Sequence, residues 1–344
     1  KISGASYKGI VFTPDGAQLL VSTSVSAKTA EKEGVSLRII VESNGDLEAG
    51  EPISLKHVVN TDAADSKDTT LSADGVTRYG ANQLPAGMAV SADGKLVCAA
   101  INMANQLVEI DLATNPVVRQ FPVGNAPYDV VLAGDKAYVS NFAGRVPSKD
   151  DTTGAAGHGA AVKVDPVRHI ASEGSVSVVD LATGKVAFEI LVGLHASSIS
   201  VTPDGRFVIV ANADSDTMGV IDVSSNEVVE TISTQPNPDL PFSSSPNAHV
   251  FSPDGNRLYV SNGTNNAIAV FDFAPPMTTL KGLIPTVWYP AGLAIDTDRN
   301  SIYVANLKGI GSRDTGRKER GKLKAIRAFV STAKTSMVRT IELL

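Results

Sequence analysis

Five histidines, two aspartate-rich stretches and one basic run carry most of the chemistry open to this 344-residue chain. His57 and His158 fall in long polar stretches, His169 ends one, and His195 and His249 stand at or near the start of apolar ones. Zinc needs three or four His, Cys or carboxylate ligands brought together, usually with a local pair at fixed spacing. No H-x-H or H-x-x-x-H pair occurs, so satisfied loop or core histidines are the ordinary reading. Asp62, Asp65 and Asp68, and Asn212, Asp214 and Asp216, offer the hard oxygens that calcium takes, but without its ordered D-x-D-x-D-G…E loop. Turn capping competes for the second set, because Asn and Asp bond the backbone of their own turns. Arg313, Arg317, Lys318, Arg320, Lys322, Lys324 and Arg327 read as a solvated loop or as a dock for an anionic surface. Ser331 and Lys334 fit S-x-x-K, with the rest of that catalytic set missing. G-x-x-x-x-G-K-[ST], H-E-x-x-H and G-x-S-x-G are all absent. No catalytic residue is assigned and no resident cofactor is expected; calcium or zinc is the alternative these groups leave open.

The elements that would position such groups announce themselves by repetition. Six segments share a small residue, an alternating apolar stretch, a tight turn and a second apolar stretch. They begin at Tyr7, Pro85, Pro127, Ala196, Asn247 and Pro290, as in ASSISVTPDGRFVIVAN and NAHVFSPDGNRLYVSN. Val- and Ile-rich stretches bounded by turn residues predict strands, and Asp-Gly between them predicts a tight hairpin. A second hairpin follows in several units, as in SVSVVDLATGKVAFEILVG. Four antiparallel strands recurring at about 40–50 residues predict an all-β propeller of four-stranded blades. Six blades are visible, at about 1–60, 85–124, 125–193, 194–234, 245–286 and 287–344, within one propeller domain. Thr335–Leu344 is expected to be the outermost strand of the last. Val11, Val90, Val130, Ile199, Val250 and Leu293 should be buried on innermost strands, and Cys98 should be buried and unreactive.

Strand alternation then sorts the loops. Compact turns such as Pro203–Gly205 fall on one face. Ser22–Val35, Lys56–Leu84, Phe142–Gly174, Thr234–Pro246 and Leu307–Lys322 all fall on the other. Five long insertions on one side predict the working face, since binding residues sit on loops carried by a rigid scaffold. Tyr128, Asp129, His195, Asn247, His249, Trp288 and Tyr289 should approach it and form the ligand- or partner-binding set. The rival reading is that they plug the mouth of the channel. With 30 Lys+Arg against 36 Asp+Glu the net charge is −6, which argues against a nucleic-acid partner. No apolar run approaches the length of a membrane span. The chain opens on Lys1 without a charged-then-apolar leader and is expected to be processed or shortened.

AYVSN (Ala137–Asn141), LYVSN (Leu258–Asn262) and IYVAN (Ile302–Asn306) resemble the YVTN, or YncE-like, propeller family. Longer stretches, YVSNFAGRVP, VDPVRHIASEGSVSVVDLATGKV and VWYPAGLAIDTDRNSIYVANLKGIGSR, are similar to the propeller half of bacterial bifunctional proteins. Those join a YncE-like propeller to a metal-dependent phosphoesterase of the alkaline-phosphatase superfamily. The resemblance implies seven blades, one upstream of those visible, and a downstream phosphoesterase domain that would carry the nucleophile and metal ligands. It also implies a periplasmic or extracellular location. Two functions follow as expectations: a non-catalytic exported module that docks a protein or small ligand on its inserted face, or the accessory half of a phosphoesterase.

Overall fold

The computed structural model describes residues 8–23, 36–43, 46–55, 84–114, 117–155, 161–237, 239, 243–307 and 338–342. Among these, the regular structure is almost entirely strand. Contacts divide the chain into two compact units, Lys1–Val201 with Val223–Glu227, and Thr202–Asp222 with Val228–Leu344.

The first unit holds three four-stranded antiparallel sheets. β1 (Ile10–Phe12), β2 (Gln18–Thr23), β3 (Ser36–Ser43) and β4 (Asp46–Ser54) pair in chain order. So do β5 (Pro85–Val90), β6 (Leu96–Ile101), β7 (Gln106–Asp111) and β8 (Val117–Pro122). β9 (Pro127–Ala133) and β10 (Lys136–Asn141) open the third sheet, and a separate hairpin of β11 (Thr153–Ala155) and β12 (Ala161–Lys163) intervenes. β13 (Gly174–Asp180) and β14 (Lys185–Val192) then complete it. β15 (Ala196–Val201) ends the unit; β1 lies beside β5, β5 beside β9, and β9 beside β15. Sheets repeated with their first strands side by side are blades of an all-β propeller.

The second unit contains β16 (Phe207–Asn212), β17 (Thr217–Asp222) and β18 (Glu227–Ser233), in that order. A four-stranded sheet follows, of β19 (Pro246–Phe251), β20 (Arg257–Asn262), β21 (Ala267–Asp272) and β22 (Thr279–Pro285). β23 (Pro290–Asp296), β24 (Ser301–Asn306) and β25 (Val338–Glu342) make the last. The last strand stands where the sequence expects it: β25 pairs directly with β24 and is the outermost of the three strands described in this sheet.

Alternation along each strand explains the cores. On β6, Val97, Ala99 and Ile101 face Leu20, Ile53 and Leu55 of the first sheet. Cys98 and Ala100 point oppositely, toward Val130, Ala137 and Val139 of the third. In the second unit, Ile209, Met218 and Val220 pack against Phe251, Leu258 and Phe271. Each such burial is worth about 1.5–3 kcal/mol. Val130 and Ile199 are buried, and Val11, Val90, Val250 and Leu293 are half-buried against these clusters. The strand register read from the repeat therefore holds. Among the described residues, no helix is long and apolar enough to cross a membrane.

Candidate functional site

The connection into each first strand follows one plan. Leu84, Ala126, His195, Ser245 and Tyr289 each stand immediately before a first strand, with φ of 46, 52, 55, 47 and 57°. Side chains disfavour this left-handed region, at a cost of about 1 kcal/mol or more per residue. Five unrelated residue types adopt it, so the path of the chain imposes it. In three cases the preceding sheet supplies the restraint. Ala126 N–H donates to Asn105 Oδ1 (2.9 Å), Ser245 N–H to Asp216 Oδ1 (3.0 Å) and Tyr289 N–H to Asn266 Oδ1 (2.9 Å). Asp216 Oδ1 also accepts from Ser244 N–H at 2.8 Å. Asp216 was expected to cap its own turn and instead holds the backbone of a connection 28 residues further on.

In the first unit this geometry assembles an aromatic column. Phe142 lies between Tyr128 and His195, with ring centroids 5.7 and 3.8 Å away and planes tilted by 23 and 17°. Lys8 Nζ sits 4.7 Å from the Tyr128 centroid and pairs with Asp129 Oδ2 at 2.8 Å. Asp129 Oδ2 also accepts from Ile199 N–H (3.3 Å), and Asp129 N–H donates to Ser140 Oγ (3.2 Å). Ser140 Oγ donates in turn to Ser197 O at 2.5 Å. Gly87 makes this possible, because a Cβ there would fall 2.0 Å from Asp129 Oδ1. The rings are half-buried, which leaves part of the column facing solvent. Tyr128, Asp129 and His195 were read from the sequence as candidates; Phe142 and Lys8 were not. Phe142 follows the strand-ending Asn141, and nothing in its spacing connects it to rings at 128 and 195.

The insertion after Phe142 is built, not slack. Arg145 makes a bidentate pair with Asp151 (2.8 and 3.0 Å) and reaches Glu173 through Nε at 3.1 Å. Lys163 bonds Glu173 at 3.0 Å and approaches Asp151 at 3.6 Å. The Arg145 hydrogen bonds, with help from Ser148, hold the Asp151 carboxyl well below the usual carboxylate range. Hydrogen bonding to Glu173 raises Lys163. Behind the network, buried Asn141 donates to Ser175 Oγ, Ser177 Oγ and Glu189 Oε1 at 2.8–3.1 Å. Asn102 donates to Pro127 O (3.1 Å) and Asn262 to Thr234 O (2.8 Å). Asparagine at a strand end ordinarily caps its own turn. These amides also tie strands and connections together, while Asn262 bonds Asn265 at 3.2 Å and Asn212 bonds Thr217 at 3.1 Å within their turns.

In the second unit, Asn247 and Tyr289 meet over Gly263, where a Cβ would lie 2.7 Å from Asn247 Nδ2 and 2.8 Å from the Tyr289 ring. Ser261 Oγ donates to Asn247 Oδ1 at 2.9 Å, and Tyr289 Oη stands 3.4 Å from Ser245 Oγ. Trp288 is 42% exposed beside them, whereas His249 is buried on β19. His57, His158, Asp62, Asp65, Asp68, Ser331, Lys334 and the basic run Arg313–Arg327 lie outside the described residues. Among the described residues, no group of three or more His, Cys, Asp or Glu side chains is placed to hold a metal ion.

A family model described as YNCE-like beta-propeller matches residues 131–309. A functionally unknown protein from Desulfotomaculum acetoxidans shares the fold with a TM-score of 0.58 at 12% identity, over 89% of this chain and 81% of that one. The Cps50 (Swd1) β-propeller domain of Myceliophteria thermophila does so with a TM-score of 0.57 at 11% identity, over 90% of this chain and 81% of that one. At such identities the likeness is one of fold. No curated protein matches the chain by sequence.

Proposed function

The chain belongs to the YNCE-like β-propeller family, and from that premise we propose that it is an exported bacterial binding module, working in the periplasm or at the cell surface. It takes a protein or small ligand at the strand ends that carry its insertions. The observation that supports this reading is the Tyr128–Phe142–His195 column, fixed by Lys8 and Asp129 beside a charge-stapled insertion. Stacked rings offer rigid amphipathic contact area at little entropic cost on binding, and His and Asn add adaptable hydrogen bonds. Asn247, Trp288 and Tyr289 supply the same chemistry in the second unit.

Site-specific photocrosslinking in the native host tests it. Probes at Tyr128 and Trp288 should give a discrete adduct, and probes at the hairpin turns Asp15 and Asp93 should not. Equal adducts from both sets would remove the proposed face. Fractionation of the host tests export: recovery with cytoplasmic markers would count against it.

A second reading is favoured by the insertion itself. The 142–174 segment resembles that of propellers joined to a metal-dependent phosphoesterase, and it is folded enough to brace a neighbouring domain. Under this reading the native polypeptide is far heavier than the chain described, and immunoblotting of host extracts would show it. A native product of this chain's own size would exclude it.

A further inference from the structure

At the opposite strand ends of the second unit, the hairpin turns carry a cavity of about 240 Å³. Its floor is Phe207 and Phe273, both 9% exposed and set edge to face at 6.2 Å. Asp204, Arg206, Asp254 and Asn256 stand around it. We infer that this cavity is a binding site for one neutral polyhydroxylated ring, the size of a single sugar residue. Volume sets the size, because pockets for drug-sized molecules begin at about 300 Å³.

The lining selects the chemistry. Asp204 is locked by Thr202 Oγ1 (2.6 Å) and Arg206 N–H (3.1 Å). Asp254 is locked by Ser252 Oγ (2.5 Å) and Asn256 N–H (3.1 Å). Both carboxylates are therefore preorganised acceptors, so their ordering cost is met before a ligand arrives. Arg206, resting 5.1 Å over the Phe207 ring, supplies only donors, and the Asn256 amide, whose Nδ2 already donates to Asp254 Oδ2 at 2.9 Å, adds its carbonyl acceptor and its second N–H. A ligand anion would face two carboxylates, and a ligand cation would face a guanidinium already seated on the aromatic floor. A ring of hydroxyls conflicts with neither, because each hydroxyl donates and accepts. Within the second unit the site lies at the other end of the strands from Asn247 and Tyr289, and it does not depend on the function proposed above.

Saturation-transfer NMR with glucose, galactose and mannose, against glucuronate and glucosamine, tests the inference on the full chain. At least one neutral sugar should bind in the millimolar range and more tightly than its charged relatives. Arg206→Ala and Asn256→Ala alter exposed side chains, so the melting temperature should hold while each weakens binding about tenfold. No transfer from any neutral sugar would overturn the inference. So would preference for a charged sugar, or undiminished binding in both stable variants.

Discussion

Asp204 shows how one carboxylate closes a hairpin here. Its Oδ1 accepts from Thr202 Oγ1 and from Arg206 N–H, and Thr202 Oγ1 accepts from Phe207 N–H at 3.0 Å. The same arrangement recurs at Thr13 with Asp15, Ser91 with Asp93 and Ser252 with Asp254. In all four, hydrogen bonds led by the Thr or Ser hydroxyl lower the carboxyl below its ordinary 3.8. A depressed folded value means stability present above the unfolded value and lost as pH falls through the folded one. The urea midpoint should therefore gain nothing from these groups above about pH 5 and fall steeply below pH 4. Asp→Asn at all four turns should flatten that acid limb. Cys98 makes the opposite case: burial, then the nearby Glu109, pushes its thiol up to about 12. A thiol reagent at neutral pH should label it only after unfolding, and rapid native labelling would contradict its burial. The turns were legible because each is local, a few residues that bond one another. The aromatic column was not, because its rings come from three distant positions and only the folded path joins them.

Two devices operate at the scale of elements, and both predict measurable losses. Arg145→Met would leave Asp151 and Glu173 to share Lys163. The network is partly exposed and solvent screens it, so the loss should be small and local. It should appear as faster hydrogen exchange in β11 and β12, with β13 unchanged; exchange rising everywhere would make Arg145 a global support instead. The side-chain staples between sheets should each matter by the cost of stranding a backbone N–H. Asn105→Ala and Asn266→Ala are expected to cost about 1–2 kcal/mol, and Asp216→Ala, which strands more donors, about 2–3 kcal/mol. Urea titration checks the order. Strand positions were readable from alternation and turn chemistry. The staples were not, because Asn105 follows Asn102 by three residues whereas Asp216 and Asn266 follow Asn212 and Asn262 by four. That difference broke the register of the repeat.

Across the molecule, stability rests on cores made where one sheet faces the next. Leu107→Ala in the first unit and Ile209→Ala in the second remove fully buried side chains and should each cost about 2–5 kcal/mol in denaturant titration. A loss below 1 kcal/mol would show that the neighbouring sheets close over the gap. The staples carry a consequence of another kind. At Ala126, Ser245 and Tyr289 the main chain is gripped through its own N–H, so the grip is indifferent to what hangs from Cα. Direction is guaranteed and identity is left open. Such positions are addressable: evolution, or a designer, can rewrite the letter at each without redrawing the scaffold beneath, and so change what the protein recognises while keeping what it is.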